Sequence, residues 1–168
     1  LFDKGYTYSY DMLGEAARTR ADAQRYFDDY ARAIERVGMT STKLAAHTPA
    51  PSVSIKLSAL HPRYEFGRRE QILRELVGSV RELADLARKH NVALTVDAEE
   101  ADRLELSLDV FRAVYESDTC RGWGHFGLVV QAYSKRALPV LHYLNRLADL
   151  QGDEIPVRLV KGAYWDSE

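Results

Sequence analysis

The chain has 168 residues, of which 46% are hydrophobic and 29% charged, and its formal net charge is -2. This composition is ordinary for a globular domain with one hydrophobic core, and the charge gives no electrostatic reason to expect binding to nucleic acid or to an anionic membrane. The single cysteine, Cys120, excludes an internal disulfide and fits a reducing compartment. No apolar run reaches the roughly 18 residues of a membrane span. Because no methionine leads the chain, we expect a piece of a longer protein.

The first third of the chain predicts a strand, a helix and a loop. Tyrosines alternate with small or polar residues over 6–12, which is the period of a strand. Thr19 and Asp22 have the spacing of a capping box and open a helix, for which Gly38 supplies the stop. Two prolines with threonine and serine make 40–51 a loop.

Four further strands alternate with three helices in the rest of the chain. The strands are predicted over 52–57, 92–96, 127–130 and from 157 onward, as near-continuous apolar runs typical of a parallel sheet covered on both faces. The helices follow the apolar stripes of 72–87 and 104–114 and the segment 135–150, where Pro139 is tolerable near the first turn. Strand-helix units of this length predict parallel crossovers.

Two architectures fit this order of elements. A doubly wound sheet would want a glycine-rich phosphate loop after a strand, and no G-x-G-x-x-G occurs. A β/α barrel instead carries its chemistry at the carboxyl ends of several strands. Since a complete barrel needs about 250 residues and eight units, the sequence predicts an α/β fold in the form of a truncated β/α (TIM-like) barrel, with about five parallel strands.

Polar side chains follow each predicted strand and are expected to converge. Singly, Lys56 could extend to solvent from an edge, Asp97 could cap the next helix, and Arg158 could form a structural ion pair. Groups at equivalent ends of successive parallel strands must meet in space, however, which favours a ligand site. The candidates are Glu15, Lys56, Asp97, Gln131, Arg158 and Lys161.

Other chemistries have weaker support in the sequence. The acidic run of 97–102 lacks a histidine cluster, and the five histidines lack ligand spacing, so no metal site is expected. Ser9, Ser54 and Ser58 lack the context of a nucleophile elbow. An acid-base pair of Glu99 and Glu100 stays open.

Five blocks of the sequence carry a resemblance to a known family. They are YSYDMLGE at 8–15, SIKLSALHPRY at 54–64, DAEEADRL at 97–104, QAY at 131–133 and RLVKGAYWDSE at 158–168. In order and across nearly the whole chain, they resemble the proline dehydrogenase domain of the bifunctional proline-utilisation (PutA) flavoenzymes. The resemblance implies that residues 1–168 are part of a β/α-barrel domain without its closing strands and helix. It also implies FAD-dependent oxidation of L-proline to 1-pyrroline-5-carboxylate in proline catabolism.

The resemblance also implies roles for individual residues. Asp97 and Arg158 would flank the reacting centre, and Lys56 would contact the substrate carboxylate. Tyr164 would wall the proline site, and Glu15 would pair with an arginine of the closing helix. The residues expected to line the flavin are Val96, Gln131, Arg158, Lys161, Gly162 and Ala163.

The family's biology adds expectations about partners and location. An aldehyde dehydrogenase module would lie in the same parent chain. The parent would be cytoplasmic, with quinone as electron acceptor and peripheral contact at the inner membrane face. This segment would contact no nucleic acid. Alone, it would have little activity, bind FAD weakly or not at all, and self-associate through its open sheet edge.

Two other functions remain as alternatives. A lysine desolvated on a barrel strand can attack a carbonyl, so Lys56 or Lys161 could serve a Schiff-base lyase of the aldolase type. A non-catalytic scaffold that docks a partner is the second alternative.

Overall fold

One parallel sheet organises the part of the chain described by the computed structural model, which comprises residue 4, residues 6–41 and residues 49–164, without the side chains of 40 and 41. Its strands are β1 (Ser9–Asp11), β2 (Ser52–Ile55), β3 (Ala93–Val96), β4 (Phe126–Gln131) and β5 (Val157–Val160). All four pairings are parallel, in the order β1-β2-β3-β4-β5. Each strand pairs with the next one in sequence, which is the order of a β/α barrel and not the reversing order of a doubly wound sheet.

Helices follow the strands, as the sequence predicts. They are α1 (Arg20–Ser41), α2 (Leu57–Leu60), α3 (Arg69–Lys89), α4 (Leu104–Tyr115) and α5 (Ala137–Gln151), and 3-10 turns at Phe66–Arg68 and Ala101–Arg103 precede α3 and α4. The capping box at the start of α1 is confirmed, because Thr19 N–H donates to Asp22 Oδ2 and Asp22 N–H donates to Thr19 Oγ1, both at 3.0 Å. Pro139 is the third residue of α5, where its missing N–H leaves no helical bond unmade.

The predicted stop of α1 at Gly38 is wrong. The helix continues to Ser41, and a Cβ on Gly38 would lie only 2.7 Å from the Cβ of His90. The glycine therefore permits a close approach between α1 and the end of α3, and does not end the helix.

The limits of the first two strands also differ from the prediction. Strand β1 begins at Ser9, so residues 6–8 lie outside it. Strand β2 ends at Ile55, and the predicted strand residue Leu57 instead opens the fully buried turn of α2. The short apolar run has the composition of either element, since periodicity cannot distinguish four buried residues of a strand from one buried helical turn.

The two faces of the sheet have different chemistry, which corrects the expectation that both are apolar. The outer face belongs to the main hydrophobic core beneath the helices, through Val53, Ile55, Leu94, Val96, Phe126, Leu128 and Val130. Register puts mainly small or polar residues on the inner face, namely Ser9, Ser52, Ser54, Ala93, Thr95, Gly127 and Arg158, together with the apolar Val129. Alternation along the strands thus separates a packed core from a concave polar surface.

Candidate active site

Four charged side chains form one ion-pair network, in which Asp11, Lys56 and Asp97 lie at the carboxyl ends of β1, β2 and β3 and Arg158 lies within β5. Lys56 Nζ lies 2.8 Å from Asp11 Oδ1 and 3.1 Å from Asp97 Oδ2. The other oxygen of Asp97, Oδ1, accepts from Nη2 of Arg158 at 2.9 Å. Asp97 is therefore the carboxylate shared by both cations, and the expected convergence of Lys56, Asp97 and Arg158 is present.

Burial and pairing together decide the protonation of Lys56. Its side chain is 12% exposed, and this burial by itself favours the neutral amine. Hydrogen bonds and attraction from Asp11 and Asp97 outweigh the burial, so the net effect raises the pKa of Lys56 above its ordinary value. The ammonium form is kept. The backbone N–H of Lys56 donates to the hydroxyl of Tyr30 at 3.0 Å, which connects the residue to α1.

Arg158 crosses the inner face of the sheet from β5. Its Nη1 donates to Ser54 Oγ at 2.9 Å and to Ser9 Oγ at 3.2 Å, while Nη2 reaches Asp97. Two serines that face inward from β1 and β2 thus fix the plane of the guanidinium. The side chain remains 36% exposed, so part of its charge faces the concave surface.

The segment after β5 is held by the last residue of β4. Gln131 Oε1 accepts from Ala163 N–H at 3.0 Å, and Gln131 Nε2 donates to the carbonyl oxygen of Glu99 at 2.9 Å. Gly162 has φ +117°, and a Cβ there would lie 2.2 Å from a ring carbon of Tyr133. Only glycine fits that position, for both conformational and steric reasons.

Tyr164 and Glu15 lie on the same side of the site. Burial, with further effects from the carboxylates of Glu15, Glu100 and Glu99, raises the pKa of Tyr164 to about 12. The phenol is therefore neutral at physiological pH. Glu15 itself is exposed on the segment that follows β1.

Two of the expected flavin residues differ from the rest in their placement. The side chain of Val96 is fully buried in the core on the outer face of β3, opposite the charged network. Lys161 is exposed just after β5. Val96 therefore offers the inner face only its backbone, and Lys161 adds an exposed positive charge directly after β5.

Sequence reasoning missed Asp11, Ser9 and Ser54 as members of the site. The signal for Asp11 was its position at the end of strand one, matching that of Asp97 after strand three, but the tyrosine alternation dominated that segment. The serines were tested only as nucleophiles, whereas their oxygens accept from Arg158.

Metal and membrane features are absent from the described part of the chain. Within residues 6–41 and 49–164, no group of three or more histidine, cysteine, aspartate or glutamate side chains could hold a metal ion. In those same ranges, no helix has both the length and the apolar character needed to cross a bilayer.

Comparison with known families gives one consistent result. The proline dehydrogenase family profile matches residues 1–168. The chain is 48% identical over all 168 residues to the bifunctional protein PutA of Salmonella typhimurium, and 27% identical over 163 residues to proline dehydrogenase 1 of Bacillus subtilis. It spans 13% of the first relative's length and 46% of the second's.

Solved structures agree with the sequence matches. A crystal structure of a Bradyrhizobium japonicum proline utilization A variant superposes on 99% of this chain with a TM-score of 0.91 at 50% identity, over 18% of its own length. The Bdellovibrio bacteriovorus proline utilization A inactivated by N-propargylglycine also gives a TM-score of 0.91, at 26% identity, with the same two coverages.

Proposed function

This chain belongs to the proline dehydrogenase family, and we propose that residues 1–168 form part of a β/α-barrel domain that oxidises L-proline to 1-pyrroline-5-carboxylate with FAD as cofactor. The observation that carries the proposal is the pair of cations, Lys56 and Arg158, held by one carboxylate, Asp97, on the inner face of the sheet. Two oriented positive charges beside a concave surface suit an anionic substrate and a cofactor on which negative charge develops.

Lys56 is proposed to bind the carboxylate of proline. An ammonium group has three N–H donors, and two of them are directed at Asp11 and Asp97. The third is available for the substrate. Because the two carboxylates hold the ammonium in place before the substrate arrives, less freedom is lost on binding.

Asp97 is proposed to position both cations. Each of its carboxylate oxygens already contacts a cation, Lys56 on one side and Arg158 on the other. The sequence left a second role open, in which Asp97 tunes the protonation of the proline amine, which must be neutral before a hydride leaves. The shared ion pairs favour the positioning role, because both carboxylate oxygens already contact a cation.

The residues at the strand ends fit a flavin. A guanidinium with unused N–H donors, the Gln131 amide and the exposed Lys161 provide the donors and positive charge that an electron-rich ring edge and a diphosphate require. Gly162 lets the backbone after β5 pass close to the ring of Tyr133, where any side chain would collide. When bound, FAD supplies the hydride acceptor. We propose that Gln131, Arg158, Lys161, Gly162, Ala163 and the backbone of Val96 line it.

Tyr164 and Glu15 are proposed to border the substrate. The neutral, half-buried ring of Tyr164 offers an apolar wall for the pyrrolidine ring of proline. Glu15 is proposed to pair with an arginine from an element outside these 168 residues.

The Schiff-base lyase is disfavoured by the charge of Lys56. Attack on a carbonyl requires a neutral amine, which enzymes obtain by lowering the lysine pKa. The carboxylates of Asp11 and Asp97 have the opposite effect on Lys56.

We extend the proposal to the whole protein by analogy with its bifunctional relatives. A parent chain with an aldehyde dehydrogenase module, quinone as electron acceptor and peripheral contact at the inner face of a membrane would complete proline oxidation in the cytoplasm. Residues 1–168 by themselves should have little activity and should self-associate, because, among the residues that the structure describes, β1 and β5 each pair on one side only.

A flavin spectrum of the full-length protein tests the proposal. We expect a bound oxidised flavin whose visible absorbance bleaches when L-proline is added without oxygen, and inactivation by N-propargylglycine. Bound flavin that proline leaves unchanged would refute the substrate. Borohydride trapping of a carbonyl compound on Lys56 or Lys161 would instead support the lyase.

A further inference from the structure

A second set of hydrogen bonds runs through the strand ends, separate from the ion pairs. Ser58, in α2, accepts from Ala16 N–H through its Oγ at 3.1 Å and from Ala17 N–H through its carbonyl at 2.9 Å. The backbone N–H of Ser58 donates to Glu99 Oε1 at 3.1 Å. The Glu99 carbonyl and Gln131 then continue the series to Ala163. We call this series the rim hydrogen bonds; it connects the segments that follow β1, β2, β3 and β5 through the last residue of β4.

Glu99 is the central member of the rim hydrogen bonds. Its carboxylate holds the segment after β2, and its carbonyl receives the side chain that holds the segment after β5. The side chain is only 5% exposed, and Arg103 Nη1 lies 3.5 Å from its second oxygen. A buried carboxylate is costly unless it is paired and hydrogen-bonded, and here its contacts fasten an otherwise irregular segment between β3 and the 3-10 turn.

Glu99 connects the two residues that border the proposed substrate site. Ala16 adjoins Glu15 and has a positive φ of 55°, so its conformation depends on the two bonds that Ser58 accepts. Ala163 adjoins Tyr164 in the chain. Losing the Glu99 carboxylate would release the 97–100 segment from Ser58 and shift the carbonyl that orients Gln131.

We propose that Glu99 is a positioning residue that sets the location of Tyr164, through Gln131 and Ala163, and of Glu15, through Ser58. The role deepens the proposed function and rests on it where Tyr164 borders proline. It is distinct from the acid-base role left open by the sequence, because the Glu99 carboxylate is occupied by Ser58 and Arg103.

The neighbouring Glu100 provides a matched control. It has the same charge and also pairs with Arg103, at 3.1 Å, but its side chain is 40% exposed. Glu99→Met removes the buried acceptor and nearly keeps the side-chain length, Glu99→Gln restores an acceptor oxygen, and Glu100→Met repeats the change outside the rim hydrogen bonds.

Hydrogen exchange of the full-length protein, without substrate, is the first test. In Glu99→Met we expect peptides covering 14–17 and 157–164 to exchange about tenfold faster or more, while the unfolding midpoint changes little. Glu99→Gln and Glu100→Met should retain wild-type protection. Equal protection in Glu99→Met would overturn the proposal. If that variant does not fold, rapid exchange of the Ala163 amide in the wild type would overturn it instead.

Steady-state kinetics with L-proline is the second test. We expect Glu99→Met to raise KM about tenfold with kcat within about threefold, and Glu99→Gln to recover most of the loss. An equal loss in the Gln variant would argue for proton transfer and against positioning. If the wild type does not oxidise proline, the proposed function fails, whereas the exchange result still decides the role of Glu99.

Discussion

The guanidinium of Arg158 on β5 reaches past β4 and donates to the carboxylate of Asp97 after β3, across 2.9 Å and 61 positions of sequence. The contact lies on the inner face of the sheet, where Val129 of the strand between them pairs in register with Arg158. The guanidinium therefore spans the width of β4 to reach Asp97.

Replacing Asp97 should affect both cations at once. In Asp97→Asn the side chain keeps its shape but loses the charge that holds Lys56 and Arg158, so we expect kcat/KM for proline to fall about 100-fold or more. Steady-state kinetics of the full-length protein measures the effect, with Asp102→Asn, an exposed aspartate nearby, as the control. A loss in both variants of similar size would refute a specific role for Asp97.

Replacing Lys56 should weaken substrate binding more than the chemical step. Lys56→Met keeps the stem but removes the ammonium, so we expect KM for proline to rise about 100-fold, consistent with loss of a charge-assisted hydrogen bond. Lys56→Met also leaves Asp11 and Asp97 without their shared cation. A proline analogue without the carboxylate should be oxidised equally by wild type and variant. If the variant discriminates against that analogue as strongly as the wild type does, Lys56 does not bind the carboxylate.

Two glycines make a matched test of the segment after β5. Gly162→Ala would force an alanine to adopt φ +117° and would place its Cβ 2.2 Å from Tyr133. We therefore expect the flavin content to fall below about one tenth of that of the wild type. Gly78→Ala, in α3, adds a Cβ with no atom within 4 Å and should raise the free energy of unfolding by about 0.5–1 kcal/mol. Flavin absorbance and denaturant unfolding measure the two effects. Full flavin content in Gly162→Ala would contradict the proposed lining.

Glu99 should make stability depend on pH in a direction opposite to that of most carboxylates. Burial outweighs its hydrogen bonds to Ser58 and raises the pKa of Glu99 above its ordinary value of 4.5. The folded state therefore binds the proton more tightly than the unfolded state. The contribution of Glu99 to the free energy of unfolding is fully present below pH 4.5 and is lost as pH rises through the higher pKa of the folded state.

Comparison with Glu99→Gln isolates that contribution. The variant carries no titrating group at this position, so its free energy of unfolding, relative to wild type, should increase between about pH 4 and pH 7. Denaturant unfolding at both pH values measures the difference. A difference that is constant or decreases with pH would show that the carboxylate is stabilised in its charged form.

The sequence alone determined the succession of elements and the residues that end the strands. Periodicity placed α1, α3 and α4, because a helix that buries one face against a sheet must repeat its apolar residues every 3.6 positions. Polar residues at the ends of apolar strands marked Lys56 and Asp97, because parallel strands bring their carboxyl ends to one edge. A cation inside the apolar run of the fifth strand marked Arg158. The family resemblance added the expected chemistry.

Only the tertiary structure decided how those residues are paired. Asp11, Ser9 and Ser54 join the network because register brings three strands into line beneath one guanidinium, a relationship between positions up to 149 residues apart that no local pattern contains. Gly38 is required because a side chain there would collide with His90, and Gly162 because a side chain there would collide with Tyr133. Local composition specifies which element a residue prefers, whereas contacts over long sequence separations decide its partner, its charge state and the space it leaves for a ligand.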